Sequence, residues 1–351
     1  MVTIRDVAER SNVSIATVSN VINGNGKVSS ETRQRVLHVI EELHYIPNRV
    51  ARNLKTRNVH TIGIITEELT TRLTSAMLNG ISSCCNLHSY SMQICNLQLE
   101  SCLTPTLDYC SFQQTPHFRD ALTAALHTLL ASQVAGIIYI GAHPRDVSRL
   151  LPRMDIPLFY LFSYTDGETP YINTDFFQGA VLATEHLIRK GHRQIALICG
   201  PVNSIPAHQR LGGYQETLMK YGLTFYPEYI LSGDWSIDSG YAAGRKILSM
   251  ENLPTAALCM NDNMALGIIK YLQHQGRRVP EDLSVIGFDS TDLVECIDPP
   301  LTSVHVPYYE MGQKAVEGIL AQLSAGDYVP GETACLLPCT LDVRSSVAAI
   351  Q

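Results

Sequence analysis

The spacing of apolar residues changes near residue 60, and the change divides the chain into a small head and a large body. In the head, apolar residues recur every three or four positions, which is the period of an amphipathic helix. The pattern predicts helices over residues 2–11, from Ser14 onward, and over residues 30–43. Only Asn12, Val13 and Ser14 join the first two, and Ser14 is a suitable N-cap. The pair therefore predicts a helix-turn-helix.

The third helix is expected to close a small core with the other two. The residues predicted to form it are Ile4, Val7, Ala8, Val18, Val21, Ile22, Val36, Leu37, Ile40 and Leu43.

The exposed N-terminal end of the second helix carries short or polar side chains, which suit close approach to base edges in the major groove of DNA. A helical bundle with no DNA-binding role would show the same periodicity, but the charge distribution favours DNA. Residues 1–57 hold nine basic and five acidic residues, a net charge of +4, whereas the remaining 294 residues hold 17 and 28, a net of −11. The head should attract a polyanion that the body repels.

From Thr61 onward, short apolar runs alternate with helical segments. This alternation predicts an α/β body of parallel, doubly wound sheets, because each strand–helix–strand unit returns to the same sheet. The predicted strands cover residues 62–65, 90–94, 136–140, 158–161, 195–198, 256–260 and 285–288. The predicted helices cover residues 76–86, 118–132, 145–152, 175–190, 211–221, 264–275 and 309–323, with Asp175 as a cap.

Three stretches of the head form a recognisable set: Thr3-Ile4-Arg5-Asp6-Val7-Ala8, Val13-Ser14-Ile15-Ala16-Thr17-Val18-Ser19, and Tyr45-Ile46-Pro47-Asn48 with Ala51-Arg52-Asn53-Leu54. They resemble the N-terminal signature of the lactose/galactose/purine repressor family of bacterial transcriptional regulators. The similarity continues through almost the whole chain. It implies a helix-turn-helix domain at 1–46, a hinge helix and linker at 47–60, and a two-lobed body like a periplasmic binding protein. The first lobe would comprise 61–161 and 307–326, and the second 162–306 and 327–351.

The hinge segment, residues 48–54, is too short to be a stable helix alone. The resemblance implies that it folds against its dimer mate in the minor groove, with Leu54 wedged between central base pairs. Alternatively, Leu54 packs on the body. The predicted partner is a pseudo-palindromic double-stranded operator, read by a homodimer. The predicted DNA contacts are Thr3, Ser14, Ile15, Ala16, Thr17, Ser19, Asn20, Asn48, Arg49, Ala51, Leu54 and Lys55.

Four side chains of the body are expected near the carboxyl ends of strands, where parallel α/β sheets bind ligands. They are Arg210, Trp235, Asn261 and Asp289. A planar donor, an aromatic face, an amide and a carboxylate suit a pyranose. The same positions hold the effector in the family that the chain resembles. A sugar-like effector is predicted, with a nucleobase corepressor as the alternative.

Other interpretations of these residues remain open. Trp235 could be a core aromatic, Arg210 could pair with Asp289, and Asp262 is expected to be a helix N-cap. The first-lobe wall is expected to be less polar than in a lactose binder, because it would carry Leu73, Thr74 and Leu161.

Several protein classes are disfavoured by the sequence. There is no G-x-G-x-x-G after the first strand, no P-loop, no G-x-S-x-G and no catalytic carboxylate pair, so no enzyme is predicted. The ten cysteines show no zinc spacing, which predicts reduced thiols and neither metal nor cofactor. No apolar run approaches the roughly 20 residues of a membrane span, and no secretory segment precedes the head. A cytoplasmic protein is expected, and a transport protein is disfavoured. Residues 97–117 are expected to be a lid or a loop at the dimer surface.

Overall fold

The computed structural model describes residues 2–23, 26, 28–45, 60–99, 115–166, 169–325 and 334–350. The chain divides into two compact units, Met1–Val59 and His60–Gln351. The predicted hinge helix and most of the 97–117 segment lie outside the described residues.

The head contains the three predicted helices: α1 (Ile4–Arg10), α2 (Ile15–Asn23) and α3 (Ser30–Glu42). Its core is built around the fully buried side chains of Val7, Val18 and Val36, as predicted. Leu37, however, is 48% exposed, and Val39 is buried in its place. The reason is helical geometry, because Val36, Val39 and Ile40 share one face at spacings of three and four, whereas Leu37 lies about 100° further round.

The first lobe of the body is a six-stranded sheet in the order β11-β5-β4-β3-β1-β2. Its strands are β1 (Thr61–Thr66), β2 (Ser91–Asn96), β3 (Gly136–Ile140), β4 (Leu158–Leu161), β5 (Tyr171–Thr174) and β11 (Ala334–Leu337), all parallel to their neighbours. The helices that connect this lobe are α4 (Arg72–Leu87), α5 (Pro116–Ala131) and α10 (Tyr308–Ala325). Helices α4 and α10 pack on each other.

The second lobe repeats the plan with the order β12-β10-β9-β8-β6-β7. Its strands are β6 (Ile195–Cys199), β7 (Ile230–Ser232), β8 (Ala256–Cys259), β9 (Ser284–Asp289), β10 (Thr302–His305) and β12 (Thr340–Asp342), of which β12 alone is antiparallel to its neighbour in this sheet. Its helices are α6 (Phe176–Arg189), α7 (Ile205–Lys220), α8 (Ile237–Leu248) and α9 (Asp262–His274). The predicted doubly wound α/β class is confirmed.

Three predictions about the body are wrong. Strand β5 joins the first sheet through β4, so the first lobe extends past residue 161 to Thr174. Residues 335–344 do not all return to the second lobe, because β11 pairs with β5 and only β12 pairs with β10. Residues 145–152 form an isolated bridge and a turn instead of a helix. Arg145, at the start of this segment, is buried in an ion pair with Glu67, a contact distant in sequence that local periodicity does not contain.

The eight described cysteines are free, and no group of three or more metal-ligating side chains occurs among the described residues. No helix in the described part of the chain combines the length and hydropathy that a membrane crossing requires.

Candidate functional site

The turn between α1 and α2 is fixed by local hydrogen bonds. Asn12 takes a left-handed conformation with φ 53°, and the next amide, of Val13, donates to the Ala8 carbonyl at 3.0 Å. The Ser11 hydroxyl donates to the Val7 carbonyl at 2.6 Å. Because the carbonyls at the end of α1 are satisfied in this way, α2 can start after a connection of only four residues, 11–14.

The start of α2 exposes most of the residues predicted to meet DNA. Ile15 is 44% exposed, and Ala16 and Asn20 are also exposed, while Thr17 and Ser19 are half-buried. Ser14 is the predicted cap, since its hydroxyl accepts from the Thr17 amide at 3.1 Å.

Thr3 begins α1 in the same way. Its hydroxyl and amide form a capping box with Asp6, which lowers the pKa of that carboxyl. The predicted contacts Asn48, Arg49, Ala51, Leu54 and Lys55 lie outside the described residues.

A cavity of about 660 Å³ lies between the lobes of the body, at the carboxyl ends of both sheets. Arg210, Trp235, Asn261 and Asp289 all line it, so the strand-end rule brought together the residues it selected. First-lobe residues complete the opposite wall.

Arg210 lies within α7, which begins at Ile205, before the predicted start at residue 211, and its side chain is only 5% exposed. The guanidinium lies 3.8 Å from the ring centroid of Phe288 and 4.7 Å from that of Phe176. Its Nη1 donates to the Met260 carbonyl, and its Nη2 lies 3.6 Å from Asp289 Oδ1. The predicted pairing of Arg210 with Asp289 is confirmed. The Nε–H has no hydrogen-bond partner among the described residues.

Asp289 and Asp262 form a buried acidic pair in the wall of the cavity. Burial raises the pKa of Asp289 to about 6, opposed by Arg210 and by the Tyr308 hydroxyl, which donates at 2.9 Å. Burial and the charge of Asp289 raise the pKa of Asp262 to about 7, although Ser303 and Thr291 donate to it. One carboxyl of the pair therefore holds a proton near neutral pH, and the Arg210 charge balances the other.

The N-cap of α9 is Asn261, so the prediction that assigned this role to Asp262 is wrong. The Asn261 Oδ1 accepts from the Met264 amide at 2.9 Å, and its Nδ2 donates to the Trp235 carbonyl at 2.9 Å. Asp262 is instead the first helical residue and points its carboxyl at Thr291 and Ser303. An Asn-Asp pair leaves the cap ambiguous in sequence, because both residues are good caps.

Trp235 was interpreted above either as an effector-binding residue or as a core aromatic, and its surroundings combine both. It lines the cavity and also packs against the core, half-buried. Its backbone is left-handed, with φ 73°, and its ring lies so close to Gly200 that a Cβ there would come within 2.1 Å of it. Its indole Nε1–H lacks a hydrogen-bond partner in the described part of the chain. Gly200 and Asn261 thus fix how the indole borders the cavity.

The first-lobe wall differs from the predicted one. Leu73 lines the cavity, but Leu161 and Thr74 are buried away from it, and Phe162 takes the wall position beside Leu161. The side chain of Leu161 points into the sheet core because neighbouring strand residues alternate between faces.

His143 is a wall residue that the sequence analysis missed. It follows β3, so the same strand-end rule would have selected it. Its Nε2 lies 2.9 Å from the Ser204 hydroxyl of the second lobe. Burial, then the positive charges of Arg210 and Arg145, lower the pKa of His143 to about 3, so the imidazole is neutral at ordinary pH. Tyr308, at the start of α10, was also missed.

The chain matches two family models. Residues 3–48 match the model described as bacterial regulatory proteins, lacI family, and residues 184–347 match a periplasmic binding protein-like domain. The HTH-type transcriptional repressor PurR of Haemophilus influenzae (strain PittEE) is 32% identical over 329 residues, 93% of each chain. The PurR of Aliivibrio fischeri (strain ATCC 700601 / ES114) is 33% identical, over 93% of this chain and 94% of that protein.

Solved structures agree with this assignment over the full chain. The lac repressor dimer bound to operator and the anti-inducer ONPF is similar with a TM-score of 0.79 and 33% identity, covering 99% of both chains. The transcriptional regulator CelR in complex with cellobiose gives a TM-score of 0.67 and 27% identity, covering 99% of this chain and 100% of that one. The protein belongs to the LacI family of DNA-binding transcriptional regulators.

Proposed function

We propose that the protein is a cytoplasmic, homodimeric transcriptional repressor of carbohydrate-utilisation genes that binds a pseudo-palindromic operator. The contacts in the head are made by Thr3, Ser14, Ile15, Ala16, Thr17, Ser19 and Asn20, and those in the hinge by Asn48, Arg49, Ala51, Leu54 and Lys55. The positive charge of the head and the exposed start of α2 support this assignment. The similar lac repressor structure is itself a dimer bound to operator.

The cleft between the lobes binds the small molecule that controls operator affinity, and it does so without converting it. Arg210, Trp235, Asn261 and Asp289 form the effector site, with Asn261 acting through Trp235. Each proposed lobe is defined by one of the two sheets, so the strands β5 and β11 belong to the first lobe. The relatives are repressors, which supports a binding role instead of catalysis.

The charges of the cavity favour an uncharged effector. Each arginine that lines it faces a carboxylate, with Arg210 at 3.6 Å from Asp289 and Arg72 at 3.2 Å from Asp292. His143 is neutral, and Asp234 adds a further negative charge to the wall. A phosphate or a uronate would have to displace one of these carboxylates and lie close to others. The pairing of Arg210 with Asp289, which balances the buried positive charge, is the main observation in favour of an uncharged effector.

A neutral sugar fits the remaining chemistry. The buried Nε–H of Arg210 and Nε1–H of Trp235 lack partners among the described residues, and an unsatisfied buried donor costs about 1–3 kcal/mol. Sugar hydroxyls that reach them would recover that free energy, and Trp235 offers an aromatic face to a pyranose. The CelR complex with cellobiose and the lac repressor bound to ONPG support a saccharide.

A nucleobase is the second candidate. Phe162, Trp235 and Tyr308 place three aromatic rings around the cavity, and a flat uncharged base could stack on them. Both candidates are neutral, so charge does not separate them.

A thermal-shift screen of the full-length protein tests the proposal. The panel contains neutral mono- and disaccharides, the matching sugar phosphates, and purine and pyrimidine bases. A ligand at 100 times its Kd stabilises the folded state by about 2.7 kcal/mol, which raises the Tm by several degrees. We expect this rise with a neutral sugar and none with its phosphate. Stabilisation by sugar phosphates alone would contradict the charge argument, and stabilisation by a base alone would select the second candidate.

A further inference from the structure

His143 connects the two walls of the cleft. It belongs to the loop after β3 in the first lobe, whereas its contacts, the Ser204 hydroxyl at 2.9 Å and the Trp235 ring at 5.8 Å between centroids, belong to the second lobe. Any opening of the lobes has to separate these groups.

The His143 loop is held rigidly by a buried charged cluster. Glu67, at the end of β1, accepts from the Ala142 amide at 2.8 Å and from Arg145 Nη1 at 2.9 Å. Tyr139 also donates to this carboxylate, and Arg145 Nη1 donates to the His143 carbonyl at 3.3 Å. Because Glu67 and Arg145 are both buried and paired, the loop moves only if this cluster breaks. The backbone that carries His143 is therefore fixed relative to the first lobe.

The other end of the contact is fixed to the helix that carries Arg210. Ser204 is the N-cap of α7, and its hydroxyl accepts from the Ala207 amide at 3.1 Å. The hydroxyl hydrogen remains for His143 Nε2, which accepts it when the imidazole is neutral with its proton on Nδ1. Arg210 lies six residues further along α7, about 9 Å at the helical rise.

We propose that His143 is a positioning residue that holds the cleft closed, by linking the first lobe to the N-terminus of α7 through Ser204 and to the tilted ring of Trp235. Its role toward the effector rests on the function proposed above, because closure brings the first-lobe wall up to Arg210. The contact itself does not depend on the effector.

Hydrogen exchange of the full-length protein, without DNA or any small molecule, tests the contact across the cleft. His143→Ala should speed the exchange of the Ala207 and His208 amides in the second lobe by roughly three- to tenfold, which corresponds to the net worth of one hydrogen bond. His143→Gln should restore slow exchange, because its amide oxygen can accept from Ser204. His127→Ala is the matched control, since it makes the same substitution at an exposed position of α5 and leaves the Ala207 and His208 amides unaltered.

A reciprocal variant, Ser204→Ala, distinguishes loss of the contact across the cleft from a general loss of stability in His143→Ala. Ser204→Ala should speed exchange of the Ala142 amide in the first lobe to a similar degree. If His143→Ala changes exchange only within residues 141–147, or if His143→Gln behaves like the alanine variant, His143 is a local structural residue and the proposal is wrong. Since no effector is present, a failed effector assignment would leave these results unchanged.

Discussion

The head and the cleft are suited to recognition by opposite chemistry. In the head, the exposed residues predicted to meet DNA, Ile15, Ala16 and Asn20, are short and uncharged. In the cleft, Arg210 and Asp289 are charged, nearly buried and paired with each other. The exposed side chains of the head remain hydrated until DNA binds. The charged side chains of the cleft are already desolvated and paired in the free protein.

This difference predicts where a single substitution matters most. A buried charge network fails as a unit, because removing one partner leaves the other uncompensated. An exposed contact surface loses one contact at a time, and each base contact contributes about 1–3 kcal/mol of discrimination. Changes in the cleft should therefore have larger effects on ligand affinity than changes in α2 have on DNA affinity.

The largest expected effect is that of Arg210→Ala on effector affinity. The variant removes charge-assisted hydrogen bonds of about 1.5–3 kcal/mol each, so two such bonds correspond to a loss of a hundredfold or more. Isothermal titration with the sugar found by thermal shift measures the loss. Arg245→Ala, an exposed arginine of α8, is the control and should bind as the wild type does. A loss below threefold in Arg210→Ala would remove Arg210 from the site.

A smaller effect is expected from Asn20→Ala in the head. Asn20 is exposed on α2 and can hydrogen-bond a base edge, so its loss should weaken binding to a selected operator by about tenfold, within the 1–3 kcal/mol of one base contact. Binding to random DNA should change little, because that affinity comes from phosphate contacts. Fluorescence anisotropy with both DNAs measures the ratio. Equal weakening on both would show that Asn20 contacts only the backbone.

The smallest expected effect is a pH dependence of the body that arises from Asp262 and Asp289. Burial raises both folded-state pKa values, to about 7 and about 6, above the ordinary value of 3.8. Between about pH 4 and pH 7 the folded state then binds more protons than the unfolded chain, so this pair's contribution to stability falls as the pH rises.

Urea unfolding at pH 5 and pH 8 measures this trend. Asp262→Asn cannot ionise, so its destabilisation relative to wild type should be smaller at pH 8 than at pH 5. Asp282→Asn is the control, because Asp282 is exposed and its pKa is lowered, by the Arg278 amide first and then by nearby arginines, so its contribution is constant over this range. A destabilisation by Asp262→Asn that is the same at both pH values would argue that Asp262 is ionised throughout.

The head could be predicted almost entirely from the sequence because its determinants are local. The period of the apolar residues and the caps at Thr3, Ser14 and Ser29 lie within a few residues of what they specify. The remaining error, Leu37 in place of Val39, came from taking neighbouring apolar positions of α3 as one face. DNA contacts and the hinge remain predictions.

The α/β fold class of the body could be predicted from the sequence, but the points at which the chain passes from one lobe to the other could not. Strands β5 and β11 are only four residues long each, and their place in the first sheet depends on the pairing of β5 with β4 and of β11 with β5. The sequence pattern of residues 145–152 predicts a helix. In the structure, Arg145 instead pairs with Glu67, which is 78 residues away in the sequence. The four proposed effector residues line one cavity, as the strand-end rule predicted, but the dual contact of Asn261 depends on the Trp235 backbone carbonyl, which no sequence pattern reveals.

In the proposed function, one chain carries two separable binding sites that are coupled through the body. The most direct test is operator affinity with and without a saturating neutral sugar, compared between wild type, Arg210→Ala and Asn20→Ala. Coupling is a property of the two binding equilibria, so the sugar should change wild-type and Asn20→Ala affinity by the same factor, while Arg210→Ala stays at its sugar-free value. A sugar that binds the body but shifts no operator affinity, or an Arg210→Ala variant that responds as wild type does, would contradict the claim.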